Sequence, residues 1–145
     1  MTKVLYTAEA RVSGGRSHGH GRTSDGALDV DLHTPVELGG EGGGTNPEQL
    51  FAVGYAACFE SALAGVARRA HVEAGDATID AKVSLSPTGT GAFQLAVELD
   101  VTVPSITDQD QAVELVRLAH TVCPYSNATR GNIEVTLTAN GKPVD

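Results

Sequence analysis

The chain has 145 residues, enough for one domain of ordinary size and too few for two full ones, so a single domain spanning 1–145 is expected. With 41% apolar and 19% charged residues it can bury a core, which excludes a disordered chain, while 17 Gly, three Tyr, three Phe and no Trp predict tight turns and small-residue packing. A formal net charge of −8 lacks the positive footprint that phosphate backbones or anionic lipid surfaces attract, so neither nucleic acid nor a membrane is an expected partner.

The first twelve residues, MTKVLYTAEARV, contain no apolar core and no small-residue cleavage site of a secretory signal, so a cytoplasmic location is expected. Residues 4–12 alternate, with Tyr6, Ala8, Ala10 and Val12 on one side and Leu5, Thr7, Glu9 and Arg11 on the other, which predicts a strand. The stretch Ser13–Gly21, rich in Gly and holding Arg16, His18 and His20, reads as a loop. Ser24-Asp25-Gly26 is a turn signal before a second alternating run, Leu28, Val30 and Leu32, which predicts a hairpin. A Gly-rich connection over 33–46 then meets Thr45-Asn46-Pro47-Glu48. Asn46 or Thr45 can cap a helix, Pro47 suits its first position, and Glu48 suits the positive end of its dipole.

From Leu50 to Ala67 only Glu60 and Ser61 are plainly polar, so this helix is expected to run through the middle of the molecule with almost no wet face. Its Ala and Gly content and Glu60 argue against a membrane span. Residues 78–86 and 92–103 alternate on either side of Pro87-Thr88-Gly89-Thr90-Gly91 and predict a second hairpin. Asp108 with Gln111 predicts a capped helix to about His120, with Val113, Leu115 and Val116 inward, and residues 133–139 predict a last strand. The order ββ-α-ββ-α-β is an α+β arrangement with antiparallel sheet.

Two cysteines are too few for a disulfide scaffold. Cys58 falls about three turns into the long helix, beyond the reach of its dipole, and burial among Ala57, Phe59 and Ala62 raises a thiol's pKa. On the residues alone, two readings stand side by side. Cys58 is a small core residue, or it is a reactive thiol whose helical neighbours Gly54 and Ala62 leave its face open to a small molecule. In the second reading Cys123, past a helix and before Pro124 where the chain can move, is a possible resolving thiol, provided the Cα atoms can close to about 5.5–6 Å. Arg16, on a Gly-flanked tether, could supply the positive charge a buried thiolate needs.

The strings GGGTNPEQLFAVGYAACF (42–59), TVCPYSNATRGNIEV (121–135) and LHTPVELGG (32–40) closely resemble the organic hydroperoxide resistance proteins, a branch of the wider family of osmotically inducible protein C. In element order the resemblance covers essentially the whole chain. It implies a thiol peroxidase that reduces organic hydroperoxides to alcohols, with Cys58 as peroxidatic thiol, Cys123 as resolving thiol, Glu48 as acidic partner and Arg16 as the thiolate-stabilising arginine. Arg22, six residues on, is the reserve candidate for the arginine. The implied fold is an intertwined homodimer, with antiparallel sheet wrapped around central helices. No metal or organic cofactor is implied, and the implied reductant is a dihydrolipoyl group, free or protein-bound.

Glu48 and Cys58 lie ten residues apart on one expected helix, about 15 Å of rise, too far for one arginine to bridge. Glu48 is therefore expected to serve a site completed by a second chain across a two-fold interface. Phe51, Tyr55 and Tyr125 are candidate substrate-lining residues that would favour alkyl or fatty acyl hydroperoxides, and each ring could equally be ordinary core. The Gly-rich stretch before the helix lacks the Lys-Ser or Lys-Thr of a phosphate-binding loop, and the histidines lack metal-ligand spacing. Two rivals remain: a peroxidase of the wider family that discriminates less against hydrogen peroxide, and a non-catalytic binder of hydrophobic thiol or acyl ligands.

Overall fold

The structure is a computed structural model, and it describes residues 2–145. The chain divides into two compact units, one running to Leu50 and the other from Phe51 to Asp145. The elements are mixed α and β, as the α+β reading expects.

In the first unit, strands β1 (Ala10–Ser13), β2 (His18–Thr23) and β3 (Asp29–His33) form an antiparallel sheet in the order β1-β2-β3. The expected hairpin closes at Ser24-Asp25-Gly26, where the Asp25 carboxylate accepts from the Thr23 hydroxyl (2.8 Å) and the Ala27 N–H (2.9 Å). Two boundaries differ from expectation. The first strand is confined to Ala10–Ser13, continued only by the Ser24 N–H donating to the Glu9 carbonyl at 2.9 Å, and the alternating residues before that leave Val4, Leu5 and Tyr6 exposed. The stretch read as a loop holds the first four residues of β2, HGHG, which place glycine instead of a branched apolar residue at each inward position. Gly19 is required there, because a Cβ would lie 1.9 Å from the Gly15 carbonyl oxygen. A short 3-10 turn, Val36–Leu38, interrupts the Gly-rich connection.

Helix α1 (Pro47–Arg69) begins in the first unit as expected: Asn46 Oδ1 accepts from the Gln49 N–H at 2.9 Å, and Pro47 opens the helix. It is an unbroken 23-residue helix, long and apolar enough to cross a membrane by length and composition alone. Its Tyr55, Phe59, Leu63 and Val66 are instead buried in the second unit's core. The expectation that it has almost no wet face is corrected: Val53 and Ala57 are exposed, so within this chain α1 is covered along one stripe only.

The second unit carries β4 (Thr78–Pro87), β5 (Phe93–Thr102), β6 (Val135–Ala139) and β7 (Lys142–Val144), in that sheet order, with α2 (Gln109–Val122) and α3 (Pro124–Thr129) between β5 and β6. The β4/β5 hairpin pairs ten residues from Thr78↔Thr102 to Pro87↔Phe93. The helical crossover lets β6 run parallel to β5, a detail the antiparallel reading lacked. On β5 the inward residues Val97, Leu99 and Val101 meet Leu137 and Ala139 of β6, Tyr55, Phe59 and Leu63 of α1, and Val113, Val116 and Ala119 of α2 in one core cluster. Full burial of a side chain such as Leu63 contributes about 1.5–3 kcal/mol. Asp108 caps α2 by accepting from the Asp110 and Gln111 N–H groups, as expected.

Candidate active site

Arg16 lies in the turn joining β1 and β2, where Gly14 and Gly15 adopt left-handed backbone. Its guanidinium grips the Glu48 carboxylate with two parallel bonds, Nη1 to Oε2 at 3.1 Å and Nη2 to Oε1 at 3.0 Å. Glu48 stands in the first turn of α1, where the helix dipole also favours negative charge. Arg16 pulls the Glu48 carboxyl below the ordinary carboxylate range, and Glu48 raises the Arg16 pKa in return. Arg22, the reserve candidate, reaches Asp29 at 3.5 Å. His20, in the same strand as Arg22, hydrogen bonds to Asp31 through Nδ1 at 2.8 Å.

The second unit holds the thiols, both free. Cys58 is half-buried on α1, and Cys123 has no exposed surface. The structure makes the two thiols neighbours. Burial pushes the Cys58 thiol above its ordinary value, Cys123 beside it pushes the same way, and the Tyr125 backbone N–H, donating to the sulfur, pulls it back. Cys123 is at once the C-cap of α2 and the residue before α3. Its N–H donates to the Ala119 carbonyl (2.9 Å) and its carbonyl accepts from the Asn127 N–H (3.0 Å). The expectation of a chain free to move at Cys123 is therefore corrected. Pro124 starts a helix here, because its missing N–H and fixed φ suit a first helical position.

The face of α1 expected to stand open at Gly54 is occupied. The Tyr125 ring lies across it, so that a Cβ on residue 54 would sit 2.7 Å from the phenolic oxygen. Phe51, Tyr55 and Tyr125 form a triangle of rings with centroids 5.6–6.1 Å apart. Tyr55 is fully buried, with its hydroxyl taken up by Ser126 and Thr129, so it presents no surface to a ligand. Phe51 and Tyr125 do face a groove of about 680 Å³, shared with Leu85, Phe93, Leu95 and Ile133. Reasoning from sequence missed the buried polar residues Ser126 and Thr129. Their only signal was Pro124, which as a helix-starting residue could have announced α3.

A half-buried thiol beside a fully buried one, on an α+β framework, is an arrangement able to support thiol–disulfide exchange. The family model for OsmC-like protein matches residues 40–138. The organic hydroperoxide resistance protein of Xanthomonas axonopodis pv. citri is 54% identical over 138 residues, 94% of this chain and 95% of that one. The organic hydroperoxide resistance protein OhrB of Bacillus subtilis is 46% identical over 135 residues, 92% of this chain and 97% of its own. Among solved structures, an organic hydroperoxide resistance protein from Vibrio cholerae with captopril in one of its active sites superimposes with TM-score 0.92, at 46% identity over 98% of this chain and 96% of that one. The chain belongs to the OsmC-like family, and its relatives place it among the organic hydroperoxide resistance proteins.

Proposed function

We propose that the protein is a cysteine-based peroxidase that reduces alkyl or fatty acyl hydroperoxides to alcohols in the cytoplasm. The observation that carries this reading is the neighbouring placement of half-buried Cys58 and buried Cys123. The Cys58 thiolate attacks the distal oxygen of ROOH, the O–O bond breaks, and the alkoxide leaves to take up a proton. Cys58 now carries a sulfenic acid. The Cys123 thiol displaces its hydroxyl as water, forming the Cys58–Cys123 disulfide. A dithiol, for which a dihydrolipoyl group is the proposed source, attacks the disulfide through a mixed disulfide, restores both thiols and leaves as its own cyclic disulfide.

In this proposal Arg16, oriented by its two-pronged bond to Glu48, supplies the charge that holds Cys58 as thiolate and the donors that meet the departing alkoxide. Glu48 and Cys58 both lie on α1 with about 15 Å of helical rise between them, which supports a site that the Arg16–Glu48 pair of a second copy completes in a homodimer. The apolar groove beside Phe51 and Tyr125 supports organic over hydrogen peroxide, since only the former gains from burying its chain.

The test is consumption of tert-butyl hydroperoxide and hydrogen peroxide with dihydrolipoamide, run beside thioredoxin and glutathione. Turnover that prefers the organic peroxide, is lost in Cys58→Ser and stalls after one reduction in Cys123→Ser is expected; steady turnover in either variant refutes the scheme. One observation favours the passive binder instead: burial raises the Cys58 pKa. Alkylation of Cys58 against pH decides between them. A midpoint near or above about 8.5 supports the binder, and one well below about 7 supports the enzyme.

A further inference from the structure

A polar network that the proposed chemistry does not use joins α1, α2 and α3. Tyr55 Oη is 2.9 Å from Ser126 Oγ and 3.2 Å from Thr129 Oγ1, Ser126 Oγ is 2.8 Å from His120 Nδ1, and the Thr129 hydroxyl is 3.3 Å from the Ser126 carbonyl oxygen. These are four hydrogen bonds among three hydroxyls, and a hydroxyl donates once. The Thr129 proton goes to the Ser126 carbonyl, so Tyr55 donates to Thr129 and Ser126 donates to Tyr55. The remaining bond needs its proton from His120, which fixes the tautomer as Nδ1–H. Every group in the chain is then satisfied, running in one direction from His120 through Ser126 and Tyr55 to Thr129.

The members sit where they matter geometrically. Tyr55 is three residues, less than one helical turn, before Cys58 on α1. Ser126 follows directly on Tyr125, whose N–H meets the Cys58 sulfur, and lies three residues past Cys123. His120 is near the end of α2. Arg130, at the end of α3, ties α3 to α2, with Nη1 donating to Asn127 Oδ1 at 2.8 Å and Nη2 to the His120 carbonyl. Tyr55 and Ser126 have no exposed surface and Thr129 has 5%, so water does not substitute for a lost partner at low cost.

We propose that Tyr55, Ser126, Thr129 and His120 form a positioning clamp that locks α3 onto α1, and so sets the register in which Cys123 and the Tyr125 N–H meet Cys58. The inference rests on the disulfide cycle proposed above. Its consequence concerns the fate of the sulfenic acid, which has two exits: displacement of its hydroxyl by Cys123 as water, or transfer of oxygen from a second ROOH to give sulfinate and ROH. The clamp favours the first. Losing one buried hydrogen bond from it slows closure about five- to tenfold, and raises the sulfinate-to-disulfide ratio at a fixed excess of hydroperoxide by the same factor.

The experiment measures that ratio by mass spectrometry in the full-length protein and in Tyr55→Phe, Thr129→Val and Thr129→Ser, well below each variant's melting temperature. Tyr55→Phe and Thr129→Val are expected to overoxidise, and Thr129→Ser, which keeps the hydroxyl, to return to the parent ratio. A parent-like ratio in Tyr55→Phe and Thr129→Val overturns the clamp, as does failure of Thr129→Ser to differ from Thr129→Val. Should Tyr55→Phe not fold, the Thr129 pair decides alone. Closure is also timed with a diazenedicarboxamide oxidant, which accepts two electrons and two protons from the thiols and needs no peroxide. Slower closure in Thr129→Val by this route, with no peroxide consumption by the parent, sustains the clamp and defeats the peroxidase reading; parent-like closure alongside normal peroxidase activity does the reverse.

Discussion

Gly54 and Gly65 are the two glycines inside α1, and replacing each with alanine separates what the helix wants from what the site needs. In either position the exchange gains about 1 kcal/mol of helix propensity. A Cβ at residue 65 meets nothing within 4 Å, so Gly65→Ala is expected to keep that gain. At residue 54 it would lie 2.7 Å from the Tyr125 oxygen and 3.2 Å from the ring carbon bearing it, so the ring must retreat by about 0.7 Å to reach ordinary contact. Tyr125 is packed against both Phe51 and Tyr55, and disturbing two aromatic pairs costs about 1–3 kcal/mol. Propensity cancels in the difference between the variants, which therefore reports Tyr125 alone. For a chain of this size 1 kcal/mol is about 3 °C, so Gly54→Ala is expected to melt about 3–9 °C below Gly65→Ala at equal protein concentration. Because Tyr125 also presents its N–H to Cys58, the alkylation midpoint of Cys58 is expected to rise in Gly54→Ala and to stay in Gly65→Ala. Equal melting temperatures with an unmoved Cys58 midpoint would refute the reasoning.

Three further outcomes are expected. Arg16 holds the Glu48 carboxyl below its ordinary 4.5, so the stability this pair adds is complete above that pH and is lost as pH falls through the depressed folded value; urea unfolding of Glu48→Gln should lack that acid-side loss. Asp108→Ala strips the α2 cap of acceptors for two N–H groups and should cost about 1 kcal/mol in chemical denaturation, with parent-like stability counting against the cap. Phe93→Ser, at the groove rim, should raise KM for a long-chain acyl hydroperoxide while leaving that for tert-butyl hydroperoxide unchanged, and an equal rise for both would exclude the groove as an acyl-chain site.

The legible parts of the fold were those where one local rule spoke alone. The start of α1 was announced by Thr45-Asn46-Pro47-Glu48, and the β4/β5 hairpin by alternation around Pro87–Gly91. Strand β2 was hidden because its inward residues are glycines, which carry no strand signal. Strand β7 was missed although Asn140-Gly141 is a strong hairpin pair: both residues have positive φ, and the Asn140 side chain fastens the turn to the Val103 N–H and to the Val103 and Ile106 carbonyls. Residue types and motif strings singled out the thiols Cys58 and Cys123 as candidates and, separately, the pair Arg16 and Glu48, which the structure joins by two hydrogen bonds. The burial of Tyr55 and the occupation of the Gly54 face were not legible, because both depend on α3 folding back to lay Tyr125 and Ser126 on α1, a contact between residues about 70 apart in sequence.

Cys123 spends both of its backbone polar groups on the helices that flank it. A sulfur so mounted adjusts through its side-chain torsion, and under the proposed disulfide cycle the elbow between α2 and α3 is expected to stay put. Reduced and oxidised protein should thus give nearly superimposable amide spectra over 109–129, with the redox change confined to resonances around the sulfurs themselves.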